Sequence, residues 1–168
     1  LKKFNSPPSI IFHAMFGAAD GYQSLGELDK ALDLLEKARL MYPTVRDELF
    51  SNILSILSTI YISQKKFENA EEILTELFQL KQDHDLPSDS KYAFALTNFA
   101  IIKKKNGENK EAISTNIQAL ELIRKAQGEF SLDYAIIALN LASLYEEVGE
   151  YKQSKNWLQK VAQICFEI

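Results

Sequence analysis

The side chains of this sequence that could do chemistry are few and widely spaced. The sequence contains two histidines and one cysteine. Asp83-His84-Asp85 sets metal-binding residue types side by side, but no second His or Cys lies near it and a calcium-loop glycine is absent. We therefore expect an exposed loop there and no metal site. Cys165 stands in an apolar run, where a thiol behaves as a small inert hydrophobe.

No pattern typical of catalysis accompanies these residues. The sequence contains no glycine-rich phosphate loop, no nucleophile elbow and no evident pair of carboxylates for acid–base chemistry. We predict that the chain is not an enzyme and that it uses no cofactor.

One basic run, Lys103-Lys104-Lys105, could contact an acidic partner or a phosphate, although most such runs are solvated surface. The formal net charge of the chain is −4. Because nucleic-acid-binding domains usually carry clustered excess lysine and arginine, we expect no nucleic-acid partner.

Composition also bears on membrane and compartment. No uncharged stretch is longer than 16 residues, the length of 49–64. A membrane span needs roughly 20 mostly apolar residues, so we predict no transmembrane segment. A single cysteine fits a reducing intracellular compartment, cytoplasmic by default. The sequence begins without methionine, which suggests a fragment of a longer protein, so an organellar location with an upstream targeting signal stays open.

The residues that recur at fixed spacing are small ones. Four of them stand 39, 42 and 42 residues apart, namely Ala31, Ala70, Ala112 and Ser154. A second set precedes these, namely Ala19, Ser58, Ala100 and Ala142. Small residues let two helices approach closely, and the large apolar residues around them recur at three- and four-residue steps, as in amphipathic helices. The pattern therefore predicts helical hairpins that repeat along the chain.

This periodicity predicts eight antiparallel helices in four hairpins. The helices are expected at about 9–24, 27–42, 45–64, 67–83, 89–106, 109–127, 132–148 and 151–167. The hairpins are expected at about 9–43, 45–84, 89–127 and 132–167, in a single domain over 1–168. Gly26, Gly107 and Gly149 each follow a helix, where glycine readily adopts a left-handed conformation. Lys65 takes this place in the second hairpin, where we expect a strained or different turn.

These segments resemble tetratricopeptide repeats, whose pattern is W-x2-L-G-x2-Y followed by A-x3-F and a proline. The second copy matches as Leu54-x2-Leu57-Ser58-x2-Tyr61 and Ala70-x3-Leu74. Only the first copy keeps the proline, Pro43. The resemblance covers residues 9 to 167.

The third copy departs from this pattern, with Lys103 in place of the tyrosine and Asn116 in place of a large apolar residue. We therefore expect the third hairpin to be the least stable, because it buries less apolar surface. The 42-residue period, with Asn98 and Asn140 at matching places, is similar to the repeats of kinesin light chains.

The resemblance implies an all-α fold, a right-handed α-α superhelix in which the first helix of each pair lines a concave groove. It also implies a protein–protein interaction scaffold or adaptor that binds a peptide segment of its partner in this groove. The expected groove residues are His13, Phe16, Asp20, Asn52, Ser55, Thr59, Thr97, Asn98, Ile101, Asn140, Ser143 and Glu147. In kinesin-light-chain-like repeats the matching asparagine contacts peptide backbone; the alternative for Asn98 and Asn140 is a solvated or helix-packing role.

Two other functions stay open. Trp157, Val161, Ile164 and Ile168 form an apolar stripe on the last helix, with Phe166 nearby. They either pack inward on the seventh helix, or they are covered by another helix beyond residue 168, by a tightly bound segment or by self-association in a structural assembly. The third possibility is a regulator that senses a short peptide through similar 42-residue repeats, which would need a fused effector segment.

Overall fold

The computed structural model describes residues 8–41, 47–84 and 90–167, which form eight α-helices. They are α1 (Pro8–Ser24), α2 (Leu28–Met41), α3 (Glu48–Ser63), α4 (Phe67–His84), α5 (Ser90–Lys105), α6 (Asn109–Gln127), α7 (Leu132–Glu147) and α8 (Tyr151–Glu167). Every end lies within three residues of its expected position, and the predicted all-α superhelix is confirmed. Pro43 lies outside the described residues.

The helices form two layers. Each odd-numbered helix pairs with the next helix as a hairpin, α3 packs against α5, and α5 packs against α7. The helices α2, α4 and α6 each pack against the odd-numbered helices before and after them. The odd-numbered helices therefore form a continuous inner layer, and the even-numbered helices form the outer layer, as in helical solenoids.

The small residues that recur in the sequence lie in the seams between helices. All eight of them are buried, namely Ala19, Ala31, Ser58, Ala70, Ala100, Ala112, Ala142 and Ser154. A larger side chain at any of these places would overpack a seam that is already closed. The prediction that small residues bring the paired helices together is confirmed.

The core divides into two large clusters of buried side chains. The N-terminal cluster extends from α1 to α4 and includes Ala95 and Ile102 of α5. The C-terminal cluster belongs to α5, α6, α7 and α8. Between them, Ala100, Ala112 and Leu144 form a small third cluster. The division in the core therefore falls at α5, beside the candidate site described below.

The turn after α3 has the same geometry as the glycine turns of the other hairpins. Gly26, Gly107 and Gly149 have φ values of 75°, 81° and 81°. Lys65 has φ of 59°, in the left-handed region that a side chain disfavours. The expectation of a strained turn at Lys65 is therefore confirmed.

The sequence predicts neither a membrane span nor a metal site in the described ranges. No helix there has the length and apolar content needed to cross a bilayer. The same residues contain no group of three or more side chains able to hold a metal ion together.

Candidate functional site

The inner layer carries the twelve predicted groove residues, but it exposes them unequally. The exposed ones are His13, Asp20, Ser143 and Glu147; the half-buried ones are Phe16, Asn52, Thr59, Ile101 and Asn140; the buried ones are Ser55, Thr97 and Asn98. The hydroxyls of Ser55 and Thr97 donate to carbonyl oxygens one turn earlier in their own helices, at 3.0 and 3.1 Å. These two hydroxyls therefore already have partners within the protein.

The N-terminal half of the inner layer is bridged by one side chain of α5. The Lys91 Nζ lies 5.9 Å from the centre of the Phe16 ring on α1. This distance falls within the range of a cation–π contact. Because α3 lies between α1 and α5 in the stack, the contact brings together side chains that are two hairpins apart.

The seam between α3 and α5 is closed by Asn98. Its Nδ2 donates to Ser58 Oγ at 3.1 Å and to Thr59 Oγ1 at 2.9 Å. Both hydroxyls in turn donate to the Ser55 carbonyl, at 2.7 and 3.1 Å. The amide nitrogen of Asn98 is therefore engaged in a hydrogen-bonded network that joins the two helices.

Asn140 occupies the same repeat position on α7 but has a different setting. The residues that match Ser58 and Thr59 one repeat later are Ala100 and Ile101, which have no hydroxyl to accept its amide hydrogens. Asn140 is half-buried, and within the described ranges no side chain forms a hydrogen bond with it. The two asparagines are equivalent in the sequence, but only Asn140 presents a free amide.

A small cavity lies beside Asn140 in the seam between α5 and α7. Its volume is about 40 Å³, and it is lined by Ala100, Ile101, Lys104, Asn116, Asn140, Ser143 and Leu144. Asn116 belongs to α6 of the outer layer and is 1% exposed. Its Oδ1 is buried without a hydrogen-bond partner in the structure. The cavity therefore combines the free amide of Asn140 with a second amide whose oxygen is unsatisfied.

Charged residues stand at the edge of this cavity. The Lys104 Nζ lies 2.6 Å from Glu147 Oε1, an ion pair between α5 and α7. Lys104 belongs to the basic run, and Glu147 is one of the predicted groove residues. Sequence reasoning did not assign Lys104 to the groove, because its position shows only once α5 and α7 are placed together. It set Asn116 apart only as a departure from the repeat pattern.

The rest of the basic run is also paired. Lys103 lies 3.0 Å from Glu108, and Lys105 lies 3.5 Å from Glu68. The hydrogen bond to Glu108 raises the pKa of Lys103, and the same bond lowers the pKa of Glu108. These lysines thus neutralise acidic side chains of the protein itself.

Three candidate residues lie away from the groove. His84 is exposed, as expected, but it is the last residue of α4 and not part of a loop. Cys165 is exposed on α8, although its neighbours in the sequence are apolar. In the structure, one side of α8 packs on α7. Cys165 lies on its uncovered surface.

The apolar residues of α8 divide in the same way. Val161 and Ile164 are buried in the C-terminal cluster, as the inward-packing alternative predicts. Leu158 is 45% exposed and Phe166 is 91% exposed. Ile168 lies outside the described residues.

The stacked hairpins, the continuous inner layer and its polar seam define a helical-repeat scaffold of the kind that mediates protein–protein interactions. Profiles of the tetratricopeptide repeat match residues 91–165 and 52–84, together more than half of the chain. The chain belongs to the tetratricopeptide repeat family. Among curated proteins, a sequence search found no match.

Similar solved structures include BtubC (BKLC) from P. vanneervenii, with 19% identity and a TM-score of 0.81 over 99% of this chain and 67% of that one. A putative kinesin light chain repeat protein from Podosopora anserina has 19% identity and a TM-score of 0.64, over 93% and 75%. The apo form of RapI has 14% identity and a TM-score of 0.77, over 98% and 45%. At these identities the likeness shows the fold alone.

Proposed function

We propose that the chain is an adaptor that binds a peptide segment of a partner protein on the inner layer, centred on the seam between α5 and α7. The observation that carries this proposal is the free amide of Asn140. A side-chain amide offers two donors and one acceptor, which match the carbonyl and N–H groups of a peptide backbone. The proposed role is binding without catalysis.

The neighbours of Asn140 support a peptide ligand. Ile101 and the exposed Ser143 provide apolar and polar contact surface beside the amide. The ion pair of Lys104 with Glu147 adds one charge of each sign, and such charges at the rim of an interface favour recognition of one partner over another. In the other half of the inner layer, hydroxyls and Asn98 are already hydrogen-bonded within the protein. In the seam between α5 and α7, by contrast, the amide of Asn140 is available to a ligand.

The proposal is tested with a displayed library of random 12-residue peptides, selected on the whole chain. Synthetic forms of the selected peptides are then titrated by fluorescence polarisation. We expect dissociation constants on the order of micromolar. Asn140→Ala should weaken binding about tenfold, as expected for the loss of a buried hydrogen bond.

Asn69→Ala is the matched control, since Asn69 is exposed on α4 in the outer layer. It should bind like the parent chain. If Asn140→Ala retains full affinity for every selected peptide, the assignment of the groove is wrong.

The second candidate function is self-association through α8. Leu158 matches Leu35 and Leu74 in the repeat, and both of these leucines are fully buried beneath the next hairpin. Leu158 and Phe166 instead expose apolar surface that a second copy of the chain could cover. We propose this assembly role as the alternative to peptide binding.

Analytical ultracentrifugation separates the two functions. Under the alternative, the parent chain sediments as a dimer and Leu158→Glu with Phe166→Glu sediments as a monomer. Ile164→Ser is unsuited to this test, because Ile164 is buried and its loss would destabilise the monomer. A parent chain that stays monomeric at high micromolar concentration contradicts self-association.

A further inference from the structure

Asn116 contrasts with the residues at the matching places of the earlier hairpins. Leu35 and Leu74 are fully buried, and each fills its site with apolar surface. Asn116 is equally inaccessible, yet its Oδ1 has no hydrogen-bond partner. Buried polar atoms in folded proteins are nearly always paired, so each exception calls for a specific reason. The reason can be a group that arrives from outside the chain.

The cavity above Asn116 has room for such a group. Its volume of about 40 Å³ exceeds the roughly 10–15 Å³ that one water molecule needs. Water can occupy it in the free protein, and a ligand group that reproduces the hydrogen bonds of this water can displace it. The group must be small, because a cavity of about 40 Å³ holds only a short side chain.

The surroundings select the chemistry of this group. The Asn116 amide lines the cavity and can donate from Nδ2 and accept at the unsatisfied Oδ1, so the group must be able to form hydrogen bonds of its own. A cationic donor is disfavoured by Lys104, which lines the cavity. An anion is disfavoured by Glu147, which pairs with Lys104, and by the apolar walls that Ala100 and Leu144 provide. A short neutral donor satisfies all of these conditions.

We infer that the cavity floored by Asn116 is a specificity subsite, which accepts a short neutral side chain with a hydrogen-bond donor (serine, threonine or asparagine) from the bound segment. This inference rests on the proposed peptide-binding function and adds selectivity to it. Asn140 holds the backbone of the segment, and Asn116 reads one of its side chains.

The test uses the random 12-residue peptides selected on the whole chain. The parent chain should enrich serine, threonine or asparagine at one peptide position. Alanine at that position should weaken binding to the parent about tenfold, which corresponds to one hydrogen bond. Asn116→Leu restores the residue type of Leu35 and Leu74 and fills the cavity. It should bind the serine and alanine forms of the peptide with equal affinity.

Two further variants keep the test decisive. Asn116→Ala removes the amide without adding volume and should abolish the preference even if Asn116→Leu folds poorly. Asn69→Leu makes the same chemical change on exposed outer-layer surface and should keep the preference. Circular dichroism spectra confirm that each variant is folded.

The outcomes distinguish the two proposals. Peptide binding can depend on Asn140 while the affinity difference between the serine and alanine peptides is the same for the parent and both Asn116 variants. In that case the subsite assignment is wrong and the proposed groove is retained. If no position of the selected peptides is enriched in these residues, the subsite is likewise wrong. If no selected peptide depends on Asn140, the proposed groove fails, and the subsite fails with it.

Discussion

The two seams of the inner layer place the same residue type at the same repeat position and use it differently. In the seam between α3 and α5, Asn98 donates to two hydroxyls and the helices close on each other. In the seam between α5 and α7, Asn140 faces Ala100 and Ile101, and a cavity remains. The two residues across the seam therefore decide whether an asparagine at this repeat position is hydrogen-bonded within the protein or is available to a ligand.

The outer-layer helices next to the two seams show the same contrast. Leu74 lies fully buried next to the closed seam, whereas Asn116 lies buried but unsatisfied next to the open one. The closed seam resembles an ordinary protein core. Next to the open seam, a buried amide oxygen has no hydrogen-bond partner, which costs stability, and such trade-offs are typical of binding sites.

The largest effect is expected when the closed seam receives the polar residue of the open one. Leu74→Asn buries an amide without a partner in a fully apolar place, so we expect a loss of about 3 kcal/mol in the free energy of unfolding. Urea denaturation followed by circular dichroism measures it. Leu74→Ala separates the cost of the lost volume from that of the amide. A loss below about 1 kcal/mol would show that the two seams tolerate polar groups alike.

Removal of each asparagine in turn tests whether the two differ in their contribution to stability. Asn98→Ala breaks both hydrogen bonds between α3 and α5, and we expect a loss of about 2 kcal/mol. Asn140→Ala removes a side chain without such bonds, and we expect a change within about 0.5 kcal/mol. Both values come from urea denaturation. Equal losses for the two variants would contradict the distinction between an internal and an available asparagine.

Asn116→Leu is the reverse of the change at Leu74. It removes an unsatisfied buried amide and fills the cavity with apolar surface, so we expect a gain of about 1–2 kcal/mol in unfolding free energy. Thermal and urea denaturation measure the gain. Asn69→Leu, on exposed surface, should change stability little. A destabilised Asn116→Leu chain would mean that the amide has a partner in the protein.

The open seam should close when it receives the hydroxyls of the other. Ala100→Ser with Ile101→Thr recreates the Ser58 and Thr59 pair opposite Asn140. A double-mutant cycle with Asn140→Ala should give a coupling energy of about 1 kcal/mol between the hydroxyls and the amide. Peptide affinity should fall in the same variant, because Asn140 is then engaged. A coupling energy near zero would exclude the proposed cause of the difference.

The smallest expected effect lies in a turn outside both seams. Lys65→Gly places at φ 59° the residue that the other three hairpins use, and we expect a gain of about 0.5–1 kcal/mol. Lys66→Gly, at the next position, should give no gain. Peptide affinity should stay unchanged in both variants. If Lys65→Gly destabilises the chain, the strain assigned to this turn is absent.

The helices and the seams could be predicted from the sequence, because small residues at a 42-residue spacing and apolar periodicity are local signals. The positions of Ala19, Ala100 and Ala142 follow from this register alone. The engagement of Asn98 did not follow, although its partners Ser58 and Thr59 are visible in the sequence. The repeat register gives the place of a residue within its own hairpin, but not which side chain of the neighbouring hairpin it meets.

The ion pair of Lys104 and the exposure of Cys165 could not be predicted from the sequence, for related reasons. Lys104 meets Glu147 only because α5 and α7 are adjacent in space, 43 residues apart in the chain. Cys165 has apolar neighbours in the sequence, yet it lies on the exposed side of α8. Both depend on what stands next to a helix, which local composition does not encode.

The contact of Lys91 with Phe16 bears on how a peptide segment would be oriented on the inner layer. Identical repeats would let a bound segment slip by one hairpin with little change in energy. Here the N-terminal half is spanned by an aliphatic arm ending in a cation, while the C-terminal half offers the Asn140 amide. The two ends of the groove therefore differ in the chemical groups that they present. Under the proposed function, a bound segment would therefore have one direction along the inner layer.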